Sequence, residues 1–347
     1  MIVPPSLPLA TTAPLPRHNI RGSLLGDVAA YLALQGQSLD SVLAQLDFDP
    51  SVLTQPDLRI PVGKLMALLD HCAELTGQED FGLRIAEWRG MPDLGPIVLL
   101  LRRETTLRGA LRTLVKALHL HSNALYLTFE EGEDSAVLAM DVMTGEGGFS
   151  RQCAEMVVRA IVHMVGWMVG PGWQPAAVGF RHGPKLPDRV YRRYLGCRPD
   201  FRQEFNGVVL DNADLARRMD PVGGRIVAQA SAMLTDLEDR SGLYLYRVQQ
   251  LLVLTLPRGE ARADTVAALL GTNRRTLNRR LAGAEVNFSQ LLDRVRRELA
   301  MQYVTDSDQP FTEIAPLLGF DSLSAFSRWF RTAYGQAPRD WRAQRAG

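Results

Sequence analysis

Two stretches near the C-terminal end of the chain repeat one design, and nothing else in the sequence constrains the fold as tightly. The first reads DTVAALLGTNRRTLNRRLAG (264–283) and the second TEIAPLLGFDSLSAFSRWFRTAYG (312–335). Aligned on Gly271 and Gly319, each copy has an alanine four residues before the glycine, Ala267 and Ala315, and a leucine one before it, Leu270 and Leu318. After the glycine come Leu277, Arg279 and Leu281 in one copy and Phe326, Arg328 and Phe330 in the other, the second copy having one extra turn residue. Each position makes physical sense if two short helices cross steeply and nearly touch. The alanines are small enough to sit at the crossing. The glycines tolerate the left-handed conformation that closes a first helix. Asn273 and Ser322 stand where a second helix opens and a side-chain oxygen can cap it. Leu277 with Leu281, and Phe326 with Phe330, are four apart and give that second helix one buried face. The pattern predicts two helix-turn-helix units.

The opposite face of each second helix is polar. In the first copy it carries Arg274, Arg275, Asn278 and Arg279; in the second it begins at Ser322 and carries Leu323, Ser324, Ser327, Arg328 and Arg331. Arginine bonds guanine and asparagine bonds adenine bidentately in the major groove, and further arginines hold phosphates without reading sequence. One such unit reads equally well as a helix pair with a solvated arginine face; two in tandem favour double-stranded DNA as the partner. Charge agrees. The chain has a net charge of +1, but residues 247–347 hold fifteen arginines, no lysine and ten acids, a balance of +5 that leaves −4 for the rest. Between the copies, NFSQLLDRVRRELAMQYV (287–304) places Phe288, Leu291, Leu292, Val295, Leu299 and Tyr303 at helical spacing. A helix there fixes the separation of the two units, which must be about 34 Å if both are to share one face of the duplex. A further apolar helix, LYLYRVQQLLVLTL (243–256), is expected to brace the first unit.

Residues 243–342 resemble the DNA-binding domain of the AraC/XylS family of bacterial regulators. The resemblance rests on IAPLLGF (314–320), FSRWFR (326–331) and the closing GQAPRDWR (335–342). It implies that Arg275, Asn278 and Arg279 in the first unit, and Leu323, Ser324 and Arg328 in the second, lie at base-reading positions, and that RNA polymerase is a partner. There are two departures. Pro316 falls inside the first helix of the second unit, where it removes a backbone donor and is expected to kink the helix. Leu323 stands where the family often has a polar residue; a thymine methyl suits it.

At about 100–200 residues per domain, 347 residues predict more than one domain. The expected division is a disordered tail at 1–16, where Pro, Ser and Thr support no packed element, an effector-binding and dimerisation domain at 17–239, and an all-α DNA-binding domain at 240–347. In the N-terminal part, 23–47 and 61–88 read as helices, and 94–121 as two more with a break near Arg103–Thr106. ALYLTFEE (124–131) and SAVLAMDVM (135–143) read as strands turning at GED. A glycine-rich loop GEGG (145–148), a helix over 150–170, strands at 176–182 and 207–211, and a helix at 222–239 follow. Helices and strands in this mixed order predict an α+β domain. FGLRIAE (81–87), LGPI (94–97), TLRGALRTL (106–114) and YRRYLGCRPDF (191–201) resemble the arabinose-binding-type effector domain of one branch of the same family. That implies a small-molecule effector and a homodimer without naming the ligand.

Other chemistries find little support. No stretch approaches the roughly 20 apolar residues of a membrane span, and MIVPPSLPLATTAPLPRHN lacks a basic n-region, so neither a membrane partner nor a signal peptide is expected. Cys72, Cys153 and Cys197 form no CxxC pair, which fits a reducing cytoplasm. His119 and His121 have no visible companions for a metal site, His163 and the methionines 156, 164 and 168 follow a helical core pattern, and no catalytic constellation or cofactor is expected. Two rival readings stay open: a metabolite-processing enzyme fused to a DNA-binding module, and a constitutive DNA-binding protein with no ligand.

Overall fold

The structure is a computed structural model describing residues 18–55, 57–95, 97–144, 150–219, 241–306 and 309–345. The expected tail, the GEGG loop and the helix at 222–239 lie outside the described residues.

Strand β1 (Asn19–Arg21) pairs antiparallel with β2 (Arg59–Pro61), and between them run α1 (Ser23–Ala33) and α2 (Asp40–Gln45). The single helix expected over 23–47 is thus two. The chain turns between them, and the Ser38 hydroxyl accepts from the Asp40 backbone N at 3.1 Å, a local bond that competes with helix continuation. The helix expected over 61–88 is likewise split into α3 (Val62–Thr76) and α4 (Phe81–Arg89). Next come α5 (Ile97–Leu101) and α6 (Leu107–Ala117), with the expected break between them; Thr106 Oγ1 caps α6 by accepting from Gly109 N at 3.2 Å.

The predicted hairpin is present: β3 (Leu125–Glu131) runs antiparallel to β4 (Ser135–Val142) in register Leu125 to Val142. The long apolar helix α7 (Arg151–Val169) follows, capped by Ser150, and buries Met156, Met164 and Met168. Then come β5 (Ala177–Phe180), α8 (Asp188–Leu195), β6 (Asp200–Phe201), β7 (Asn206–Asp211) and α9 (Asn212–Leu215). The five-stranded sheet has the order β3-β4-β7-β5-β6, with only β5 and β6 parallel, so the N-terminal part is α+β as expected. Helices α4 and α7 pack so closely that a Cβ on Gly82 would lie 2.1 Å from the Gln152 carbonyl oxygen. The contact is sealed by Gln152 Oε1 accepting from Gly82 N at 2.8 Å.

The C-terminal part is entirely helical among the described residues: α10 (Ser241–Thr255), α11 (Ala263–Leu269), α12 (Arg274–Gly283), α13 (Phe288–Asp306), α14 (Phe311–Leu317), α15 (Leu323–Tyr334) and α16 (Pro338–Arg345). One apolar core fills the α+β part. A second runs through α10 to α16 and takes in Tyr126 and Met143 from the sheet side. The two parts meet through polar contacts as well. Tyr246 Oη donates to Leu125 O at 3.1 Å, and its ring stacks on Tyr126 at 4.9 Å. His18 Nε2 lies 3.0 Å from Glu298 Oε1 on α13.

Candidate DNA-recognition surfaces

The two turns close identically. After α11, Gly271 N donates to Ala268 O and Thr272 N to Ala267 O, both at 2.9 Å. After α14, Gly319 N donates to Pro316 O at 2.8 Å and Phe320 N to Ala315 O at 3.0 Å. These are the paired bonds of a Schellman turn, which needs a left-handed residue after the helix; Gly271 and Gly319 supply it at φ +66 and +68. The alanines at the crossings, Ala267 and Ala315, are each 1% exposed. The next helix is capped in both units: Asn273 Oδ1 accepts from Thr276 N at 2.9 Å, and Ser322 Oγ from Ala325 N at 3.2 Å. Leu277, Leu281, Phe326 and Phe330 are fully buried.

The outer faces carry the expected side chains. Arg274, Arg275, Asn278 and Arg279 on α12 are exposed, as are Ser322, Leu323, Ser324, Arg328 and Arg331 on α15; Ser327 is half-buried. Arg274 Nη1 lies 3.4 Å from Asp264 Oδ2 on α11, so its charge is shared with a neighbouring acid. Pro316 does not interrupt its helix: α14 runs unbroken to Leu317, and the proline is exposed.

Three arginines to which the sequence reading gave no role of their own hold the units together. Arg296 Nε donates to Leu318 O at 2.9 Å, with its guanidinium 4.8 Å from the Phe320 ring, and so pins the second turn to α13. Arg297 Nη1 donates to Ala333 O at 3.0 Å near the end of α15. Arg342, from the closing motif, donates to Val304 O in the last turn of α13 at 2.9 Å and to Gln309 O ahead of α14 at 2.8 Å, and stacks 4.1 Å over Phe311. Trp329 adds an indole N–H to Asp293 Oδ1 at 2.9 Å. The linker helix therefore grips α15 by both its aromatic and its carbonyl groups.

Residues 36–219 match the family model of the arabinose-binding domain of AraC transcription regulator, N-terminal, and residues 266–344 match a helix-turn-helix domain. Over 304 residues the chain is 30% identical to the HTH-type transcriptional regulator VirS of Mycobacterium tuberculosis, covering 87% of this chain and 89% of that protein. The chain belongs to the AraC/XylS family. It is a DNA-binding transcriptional regulator with an effector domain ahead of a double helix-turn-helix. This AraC-type regulator is also 29% identical over 343 residues to the ornithine utilization regulator of Pseudomonas aeruginosa, covering 96% of this chain and 98% of that one. The crystal structure of the transcriptional regulator CdpR from the same organism covers 88% of the regulator and 96% of its own chain, at 21% identity and a TM-score of 0.42.

The described part of the regulator contains no helix long and apolar enough to cross a membrane and no group of three metal-binding side chains. Its three cysteines are free thiols, and burial pushes Cys72 and Cys153 up to about 12, far from the thiolate form that reacts.

Proposed function

We propose that the regulator reads two successive major grooves with α12 and α15, through Arg275, Asn278 and Arg279 in one and Leu323, Ser324 and Arg328 in the other. In this reading Arg274, Ser322, Ser327 and Arg331 serve the backbone or the rims of the grooves. The observation that carries the reading is the duplicated, capped helix with a buried apolar seam and an exposed polar face. Residues 17–239 bind a small-molecule effector and form a homodimer, and residues 240–347 contact DNA and, by family, RNA polymerase. The regulator acts in the cytoplasm without a chemical step of its own.

Binding of the purified full chain to genomic fragments at graded salt tests the DNA reading. Each phosphate neutralised contributes about −0.9 to the slope of log K against log salt. Preference for particular fragments with a steep slope is the expected result; binding with neither would overturn it. Two linked domains raise effective concentration on a two-part operator, so sedimentation of the full chain should give a dimer. A strict monomer with and without DNA would remove that part.

A further inference from the structure

The effector domain encloses a small cavity of about 90 Å³ between β1, the end of α4, α6 and α7. Its wall is apolar over most of its area, with Leu24, Leu65, Leu114, Leu118, Met156 and Ile161 facing it. Among the described residues, three basic side chains interrupt that wall, Arg21, Arg89 and His121, and no carboxylate side chain lines it. The three are differently placed. Arg21 is fully engaged: its guanidinium donates to Asp57 at 2.9 and 2.5 Å and to Asp93 at 3.2 and 3.3 Å, holding the turn before Gly95. Arg89 is not. Its side chain is 9% exposed, and its buried Nε lies 3.1 Å from Asp27 Oδ2, an ion pair that leaves the Nε–H without a hydrogen bond among the described residues. His121 Nδ1 is also buried without a hydrogen-bond partner among the described residues. Burial and the neighbouring Arg21, Arg89 and Arg59 guanidiniums hold His121 at about 4, so at neutral pH it is an uncharged ring facing positive charge.

Two under-bonded polar groups in one apolar hole call for an occupant, because a buried donor without an acceptor carries its full desolvation cost. The occupant must bring negative charge and acceptor oxygens at one end and hydrocarbon at the other. An apolar cavity of about 150 Å³ takes benzene, so this smaller one suits a chain of about three to five carbons.

We propose that the cavity binds a short-chain aliphatic monocarboxylate, whose carboxylate accepts from Arg89 and from His121 Nδ1–H while its alkyl chain lies among Leu24, Leu65, Leu114 and Met156. This rests on the effector reading above and names the ligand class. The cavity is also placed to be felt by the DNA-binding part. Arg21 belongs to β1, and three residues earlier His18 pairs with Glu298 on α13, the helix joining the two recognition units.

The test is a thermal-shift and calorimetric titration of the full-length regulator with propionate, butyrate, valerate and hexanoate. Butyramide and butylamine serve as neutral and cationic controls. Butyrate or valerate should raise the melting temperature progressively with concentration, as a ligand of the native state must. The amide and amine should not. Arg89→Gln and His121→Phe should each weaken butyrate by about tenfold or more. Leu114→Phe, which fills the cavity with carbon, should abolish the shift while salt-dependent DNA binding stays intact, which separates a blocked site from an unfolded protein. Equal shifts from acid and amide, or no shift from any acid at about 10 mM, would overturn the proposal. A shift from a metabolite of another charge class would do so while leaving the effector reading standing. If no compound in a broad metabolite set changed either stability or DNA affinity, the effector reading itself would fall.

Discussion

At the scale of single residues, the acids beside them divide the candidate recognition arginines by the work open to them. Asn278 and Arg279 follow Leu277 on α12 and are exposed, whereas Arg274 is drawn toward Asp264. Asn278→Ala and Arg279→Ala should each cost about 1–3 kcal/mol on the operator and relax preference at one or two base positions in a randomised-operator selection. Unchanged preference in both would show that α12 does not read bases through them. Arg331 sits in the last turn of α15; Arg331→Ala should weaken all sequences alike and reduce the salt slope by about one. A different residue-scale effect lies in the effector domain. Glu155 is fully buried, accepts from Tyr191 Oη at 2.9 Å and Arg151 Nη1 at 2.8 Å, and lies 3.6 Å from His182 Nε2. Burial pushes it up to about 7 against the pull of Arg151 and Tyr191, with Asp80 adding to the rise, and burial holds His182 down at about 4. Between about pH 4.5 and 7 the folded state binds the Glu155 proton more tightly than the unfolded chain does, so this group's stabilisation is lost as pH rises. His182 has the opposite sign, because the unfolded chain protonates first as pH falls below about 6.5. Relative to wild type, Glu155→Gln should therefore gain stability as pH rises from 5 to about 7.5, and His182→Gln should lose it over the same range. Urea denaturation at the two ends of that range reads both, and slopes of the same sign would contradict the assignment.

At the scale of elements, the two turns offer a controlled comparison. Both glycines are left-handed, so alanine at either position costs roughly 1–2 kcal/mol of backbone strain. They differ in surroundings. A Cβ on Gly271 meets open space, whereas one on Gly319 lies 3.1 Å from Leu256 Cδ2 and 3.2 Å from Leu256 O. Gly319→Ala should thus destabilise more than Gly271→Ala in urea melts, and the reverse order would show that the second unit does not pack on the end of α10 as described. These turns were legible in the sequence because their chemistry is local: a small residue, a glycine and a capping oxygen at fixed offsets determine the conformation. The hairpin at Gly132 was legible for the same reason. Strands β1 and β2 were not, since three residues each are too few to display alternation. Helix α8 was passed over because it has only eight residues, six of them arginine, aspartate or tyrosine, and the burial of Tyr191 and Tyr194 depends on the distant sheet. The residues expected on the outer faces of α12 and α15 are exposed or half-buried there, but Arg296, Arg297 and Arg342 look no different in sequence from Arg275 and Arg279. What separates them is which carbonyls approach from other elements, and no spacing rule encodes that. The effector cavity was invisible for a related reason, its wall being drawn from segments between Ile20 and Met164.

At the scale of the whole molecule, the sheet and the linker helix are tied by a buried charge. Arg181, just after β5, donates to Asp141 Oδ1 at 2.5 Å and to the Tyr303 hydroxyl of α13 at 3.3 Å, with its guanidinium 4.6 Å from the Tyr303 ring. Arg181 and Asp141 side chains are 9% and 7% exposed. Removing the arginine leaves Asp141 buried without its counter-charge, so Arg181→Leu should cost about 3–5 kcal/mol. Tyr303→Phe gives up one hydrogen bond and should cost about 1 kcal/mol. If the two parts meet in solution as they do here, these losses cannot add, because once Arg181 is gone the Tyr303 hydroxyl has already lost that partner. The double variant should then be less destabilised than the sum of the singles by about 0.5–1 kcal/mol, and wild type should melt in one calorimetric transition. Losses that add within error would mean that the linker helix is free of the sheet, and a signal from the effector cavity would then have to reach the recognition helices by another contact, such as the stacked Tyr126 and Tyr246 or the His18–Glu298 pair.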